Sequence, residues 1–233
     1  MIIGVQGVQG SGKSTMVENI CKKNTEFQCI SIDDFYYPDK SISALYLHTK
    51  YELWKFRGNP GTHDIKLLYY VLQQFKQKQT VYVPIYDKTL NKGRGDRIGW
   101  KPLFPSTYLF LEGWCVGFKP LYEPKDLIDA SLRAYESINS LLDGIFILKP
   151  PCLDIVYKWR EHAEKKNRSK GGGMSSSQLK DFIDIYIPTY LKYLPPLYNN
   201  PLSIPKYIAC LDEDRNIVET YLIPPVKSDS TLK

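Results

Sequence analysis

The chain has 233 residues, 43% of them hydrophobic, and a formal net charge of +6. That length and apolar content support one large domain with a real core, and so modest a charge does not imply a nucleic-acid partner. Without a run of 18 or more apolar residues, a membrane-spanning helix is excluded.

Met1-Ile2-Ile3-Gly4-Val5 is a short apolar run and reads as a buried strand. Directly after it, Gly7-Val8-Gln9-Gly10-Ser11-Gly12-Lys13-Ser14 fits the phosphate-loop pattern G-x-x-x-x-G-K-[ST]. Met16 to Cys21 carries apolar residues at helical spacing. Strand, glycine loop and helix form the context in which that pattern binds phosphate. Glycines let backbone N–H groups turn inward, and a helix start offers unpaired N–H groups and partial positive charge. Because the strand begins at Met1 and runs straight into the loop, no signal peptide and a cytoplasmic location are expected.

Phe27 to Ile32 is a second strand candidate, ending at Asp33-Asp34. Asp64 to Lys76 reads as a helix through Ile65, Leu68, Tyr69, Leu72 and Phe75. Thr80 to Ile85 reads as a strand, and Thr107 to Leu111 as a buried strand ending at Glu112. A helix is expected near Asp129–Leu142, stopped by Asp143-Gly144, then a core strand Ile145–Leu148 closed by Pro150-Pro151. A basic helix at Ile155–Lys166 leads into a glycine- and serine-rich stretch from Arg168 to Ser177. Leu179–Leu194 reads as a helix interrupted at Pro188, and Ile204–Leu211 as a last strand before a turn at Asp212–Asn216. The alternation predicts an α/β fold with a mainly parallel sheet flanked by helices. No linker divides it, so 1–233 is read as a single domain, with a helical lid over about 155–178 and a frayed tail over about 226–233. The segments 34–65 and 86–106 have weak periodicity and read as long functional loops.

Ligands of open α/β sheets bind beyond the carboxyl ends of the strands. The residues to weigh there are the glycine loop, Asp33-Asp34, Asp87-Lys88 and Glu112-Gly113. Gly7, Gln9, Gly10, Ser11, Gly12, Lys13, Ser14 and Thr15 are the candidate ATP ligands, with Lys13 reaching the β- and γ-phosphates. Ser14 and Glu112 are the candidate Mg²⁺ ligands. Asp33 or Asp34 is the candidate base for an acceptor hydroxyl; neighbours on a strand point to opposite faces, so spacing does not choose between them. Arg57, Lys88, Arg94 and Arg97 stand in the long loops and suit an anionic acceptor. Tyr36, His63 and Asp87 are further acceptor-site candidates. Arg160, His162, Lys165, Lys166 and Arg168 form a basic group before Gly171-Gly172-Gly173. They read as lid cations, Arg160 and Arg168 acting on the γ-phosphate, with the glycines as hinge. The five scattered cysteines lack metal spacing and read as free thiols. The many aromatics carry no basic-aromatic module, so they are read as core and pocket packing.

Five segments in order resemble the D-glycerate 3-kinase family. They are Ser31–Tyr36, Arg57–Asp64, Tyr86-Asp87-Lys88 with Gly93–Arg97, Glu112–Phe118, and the run from Trp159-Arg160 through Gly173-Met174 to Tyr186–Tyr190. That family, with plant photorespiratory glycerate kinases and fungal kinase-like members, is similar to uridine kinase, phosphoribulokinase and bacterial pantothenate kinase. The resemblance spans Ile2 to about Leu211 and implies ATP- and Mg²⁺-dependent phosphoryl transfer to a small-molecule hydroxyl. It implies that Asp33, the first Asp of an Asp-x-Phe element, is the base, that Glu112 is the strand-end acid and that Trp159–Gly173 is the lid. Such family members carry an N-terminal helical extension ahead of the glycine loop, which is not expected here, and the region after Glu-Gly-Trp is read as compact. A nucleoside or other metabolite kinase and an ATP-binding regulatory protein are the alternatives; the intact Lys13, Ser14, Asp33 and Glu112 set speaks against the second.

Overall fold

In the computed structural model, residues 1–168 and 174–226 are described. The glycines at 171–173, expected to act as a hinge, and positions 227–233 of the tail lie outside the described residues.

The glycine-loop unit forms as its sequence dictates: β1 (Ile2–Gly7) is almost wholly buried and feeds α1 (Lys13–Lys23). β2 (Phe27–Ser31) follows. Asp33 and Asp34 then sit in a one-turn 3-10 segment, Ile32–Phe35, and not on the strand. The stretch 34–65 is more ordered than its weak periodicity predicts. It contains α2 (Asp39–Thr49), which buries only Ile42 and so leaves little apolar rhythm, and a second 3-10 turn at Glu52–Trp54. α3 (Ile65–Lys76) buries Ile65, Leu68, Val71, Leu72 and Phe75, one continuous face.

β3 (Val81–Asp87) leads through a one-turn segment, α4 (Leu90–Gly93), to β4 (Asp96–Leu103). These two strands pair antiparallel in a sheet of their own. The reading of 86–106 as a loop is corrected here. β4 buries only Leu103, so no hydrophobic pattern marks it. β5 (Tyr108–Gly113), α5 (Leu127–Asn139) and β6 (Gly144–Lys149) come next. They are followed by α6 (Ile155–Arg168), α7 (Ser176–Asp184) and α8 (Ile187–Asn199). The helix expected over Leu179–Leu194 is thus two helices, with Pro188 at the start of the second. β7 (Lys206–Leu211) turns back into β8 (Ile217–Ile223), a mostly exposed strand that the sequence reading stops short of.

The main sheet runs β2-β5-β1-β6-β7-β8. All neighbours are parallel except β7 and β8. Register sets Glu112 beside Val5 on one side and Ser31 on the other. The carboxyl ends of β1, β2 and β5 therefore open on one edge, which is where α/β sheets hold ligands. Ile2, Leu109, Leu111 and Ile147 are fully buried in this sheet, as are Leu68 and Leu72 of α3 and Leu132 of α5. The C-terminal end of α8 is tied to β7 by Lys206, itself fully buried. Its ammonium donates to the carbonyls of Leu197, Tyr198 and Asn200, a cation meeting the negative end of a helix.

Candidate active site

The glycine loop has the backbone that its composition requires. Gly10 and Gly12 adopt φ of 81° and 87°, a region L side chains avoid. A Cβ on Gly10 would also lie 2.7 Å from Cβ of Trp159. Gly12 caps α1 without any side-chain hydrogen bond, and no acidic residue stands in the first turn. Ser11 Oγ is buried with no partner. An uncapped helix start beside an orphaned hydroxyl is a cradle for an anion.

Ser14 and Glu112 meet as the order β5-β1 predicts. Ser14 Oγ donates to Glu112 Oε1 at 3.1 Å, and Lys13 Nζ stands 3.9 Å from Oε2. Glu112 is 7% exposed, and its Oε2 has no hydrogen-bond donor. A buried carboxylate oxygen with a hydroxyl alongside fits a hard divalent cation.

Asp33 follows β2, near enough to Lys13 to feel its charge. The Ser31 hydroxyl accepts from its backbone N–H, Tyr36 Oη donates to Oδ1 at 2.9 Å, and Lys88 Nζ donates to Oδ2 at 2.6 Å. Burial pushes the Asp33 carboxyl up, but Lys88 and Lys13 outweigh it and hold it well below the usual carboxylate range. Asp34 turns toward Lys101, and burial lifts its carboxyl above the ordinary value. Tyr36 is locked by stacking on His63, with ring centroids 4.4 Å apart, and by an edge contact with Tyr86. His63 is 2% exposed. Its Nδ1 pairs with Tyr135 Oη at 2.7 Å, and burial drags the imidazole down to about 4.

Arg57 reaches the carbonyls of Gly93 and Lys88 and lies over the Tyr86 ring. Behind it, Asn59 is fully buried: its amide donates to Leu53 O and Ile185 O and accepts from Thr189 Oγ1. Tyr186 Oη donates to Arg57 O, and a Cβ on Gly58 would collide with that hydroxyl at 1.9 Å. Trp114 packs between Tyr186 and Tyr190, and Tyr190 Oη accepts from the Gln9 amide of the glycine loop.

Other candidates are held elsewhere. Arg94 is paired with Asp39 at 2.6 Å and bonded to Ser43, which ties the turn ahead of β4 to α2. Arg97 donates to the carbonyls of Phe35 and Tyr36 and to Asp64. Asp87 accepts from Thr89 N and Oγ1 as a turn former and does not join the other carboxylates. The convergence of carboxylates on the glycine loop is therefore Asp33 with Glu112, because β3 belongs to the separate sheet. Arg160 pairs with Glu164, has a buried Nε without a partner, and is close enough to favour ionisation of Tyr186. Arg168 is paired with Glu161 and bonded to Met174 O, contacts within α6 and to a residue just ahead of α7.

Arg215 escapes the sequence reading. Its Nε donates to Gly10 O at 2.6 Å and its guanidinium lies 5.0 Å from the Trp159 ring centre. Both line a cavity of about 650 Å³ beside Lys13 and Asn19. The strand-end rule, applied to the strand ending at Leu211 as to the others, points to it.

No family model matches the chain. The kinase mug58 of Schizosaccharomyces pombe is 33% identical over 92% of this chain and 88% of its own length. The chloroplastic D-glycerate 3-kinase of Arabidopsis thaliana is 34% identical over 93% of this chain; the chain spans 53% of that protein. The solved structure of a D-glycerate 3-kinase from Cryptococcus neoformans superposes with a TM-score of 0.85 at 28% identity, covering 96% of this chain and 89% of that one.

Proposed function

We propose that this chain, which belongs to the D-glycerate 3-kinase family of P-loop kinases, transfers the γ-phosphoryl group of ATP to a hydroxyl of D-glycerate. It is an ATP-dependent small-molecule kinase. The observation that carries the choice of acceptor is Lys88 Nζ 2.6 Å from Asp33 Oδ2, with Lys13 near enough to favour ionisation of that carboxyl and Arg57 bonded to the backbone of Lys88. A hydroxy acid places a hydroxyl on Asp33 and a carboxylate on Lys88 and Arg57; a neutral nucleoside offers those two cations no anion.

The loop amides and Lys13 hold the phosphates. Ser14 and Glu112 would hold Mg²⁺, which would neutralise charge on the phosphate oxygens. Asp33 takes the proton of the acceptor hydroxyl, and Tyr36 keeps that carboxylate aimed. Arg57 and Lys88 face the acceptor carboxylate. Arg94 and Arg97 hold the walls of the site through Asp39 and Asp64. Arg160 offsets charge on the transferring group.

The test is ADP release with Mg-ATP and D-glycerate, L-glycerate, uridine, pantothenate or no acceptor, with Lys13→Ala as background. Stimulation by D-glycerate alone is expected. Stimulation by uridine or pantothenate in its place, or by none of them while ATP still binds, overturns the assignment.

A further inference from the structure

Both oxygens of Asp33 are occupied in the free protein, and the two donors differ in freedom. Tyr36 is 3% exposed and wedged between His63 and Tyr86. It stays. Lys88 has a side chain 54% exposed and sits just past the end of β3. The residues that follow it include Asn91 and Lys92 at positive φ. Lys88 is the movable partner. Its position has a chemical cost. An ammonium 2.6 Å from Oδ2 lowers the proton affinity of the oxygen that must accept the hydroxyl proton. Other charged or titratable groups that interact with Asp33 are Lys13 from α1, His63 ahead of α3, Asp34 and Tyr36 of its own turn, and the buried, uncharged Cys115, Tyr135 and Tyr186. Of the two cations, Lys13 belongs to the phosphates, so Lys88 is the one an acceptor can remove.

We propose that Lys88 is a latch on the base: it masks Asp33 until the carboxylate of the acceptor draws its ammonium away, so that an anionic acceptor unmasks the group that activates its own hydroxyl. The inference rests on the reading of Asp33 as base. It explains how a site holding ATP beside a carboxylate can avoid using water. In that side reaction a water oxygen bonds to the γ-phosphorus as its proton passes to Asp33. The bond from phosphorus to the β,γ-bridging oxygen breaks, and ADP leaves with the electron pair beside inorganic phosphate. With Lys88 on Oδ2, water finds no base. A neutral polyol cannot draw the ammonium off either, so the latch also selects for acids.

The test compares wild type with Lys88→Met in acceptor-free ADP release, and then with D-glycerate and with glycerol. The expected result is an acceptor-free rate raised about ten-fold or more, as positioned bases contribute 10²–10⁴-fold when free to act. The preference for D-glycerate over glycerol, as a ratio of kcat/KM, falls at least as far. Lys88→Arg, which keeps the charge, stays well below Lys88→Met in acceptor-free rate. Adding Asp33→Asn to Lys88→Met removes the gain, and Lys92→Met controls for net loop charge. ATP binding by calorimetry verifies that each variant is folded. An acceptor-free rate in folded Lys88→Met equal to wild type overturns the latch, whatever happens to the KM for glycerate. A gain that survives Asp33→Asn overturns it as well. If D-glycerate fails to stimulate wild type, the acceptor assignment falls, and the acceptor-free comparison still decides the latch.

Discussion

Asn59 is the point where the acceptor side of the site is joined to the helical layer, and its replacement by Ala has a calculable effect. The side chain is fully buried and makes three hydrogen bonds, to Leu53 O, Ile185 O and Thr189 Oγ1. Alanine leaves two carbonyls and one hydroxyl without that partner. At about 1 kcal/mol for each lost bond, the sum is about 3 kcal/mol. For a protein of this size that lowers Tm by about 6–12 °C. The loss also has a functional direction. Leu53 and Asn59 flank Arg57, while Ile185 and Thr189 flank Tyr186, which bonds Arg57 O. Loosening the junction therefore raises KM for the acceptor and leaves the glycine loop, and ATP affinity, largely intact. Urea unfolding gives the first quantity and initial rates give the second. A loss below about 1 kcal/mol with an unchanged acceptor KM refutes the reasoning.

Asp33→Asn should lower turnover by about 10²–10⁴-fold with ATP affinity nearly unchanged; calorimetric titration with ATP beside steady-state rates checks the split. His63 supplies a pH prediction. Its folded value of about 4 lies below its ordinary 6.5. The unfolded chain therefore takes up the proton first as pH falls, and stability present above pH 6.5 is lost between there and about 4. The contribution is at most ~3 kcal/mol. Unfolding free energies across that range should slope downward toward acid, and His63→Gln should flatten the slope. An equal slope in the variant assigns it to other groups.

Some of this molecule is legible in its chain because burial on both faces writes continuous apolar runs. β1, β5 and β6 are read that way, and the glycine loop is marked by chemistry no other local structure requires. The same logic misleads at β3. Val81 and Val83 are buried as a parallel strand's would be, yet the strand belongs to a two-stranded antiparallel sheet whose other member is too exposed to leave a pattern. The site divides likewise. Lys13, Ser14 and Glu112 follow from a motif and a strand end. Which loop cations face Asp33 does not, because Arg57, Lys88, Arg94 and Arg97 look alike in sequence. Asp39 and Asp64 separate them by engaging Arg94 and Arg97, and those partners lie 55 and 33 residues away. Arg215 is invisible for a similar reason: its carbonyl partner lies 205 residues upstream.

The seat of Trp159 has a mechanical consequence. Its indole N–H is held by Glu213 O, its neighbour Lys158 is paired with Glu213, its ring lies under Arg215, and its Cβ leaves Gly10 no room for a side chain. The first turns of α6, the glycine loop and the β7–β8 turn thus move as one piece. Arg160, the next residue along, is carried on that piece, so in the proposed mechanism it is in place before ATP arrives. If α6 closes as the proposed lid, these contacts put its pivot beyond Arg160. On the proposed reading, the glycine loop is therefore braced from two sides before any phosphate reaches it.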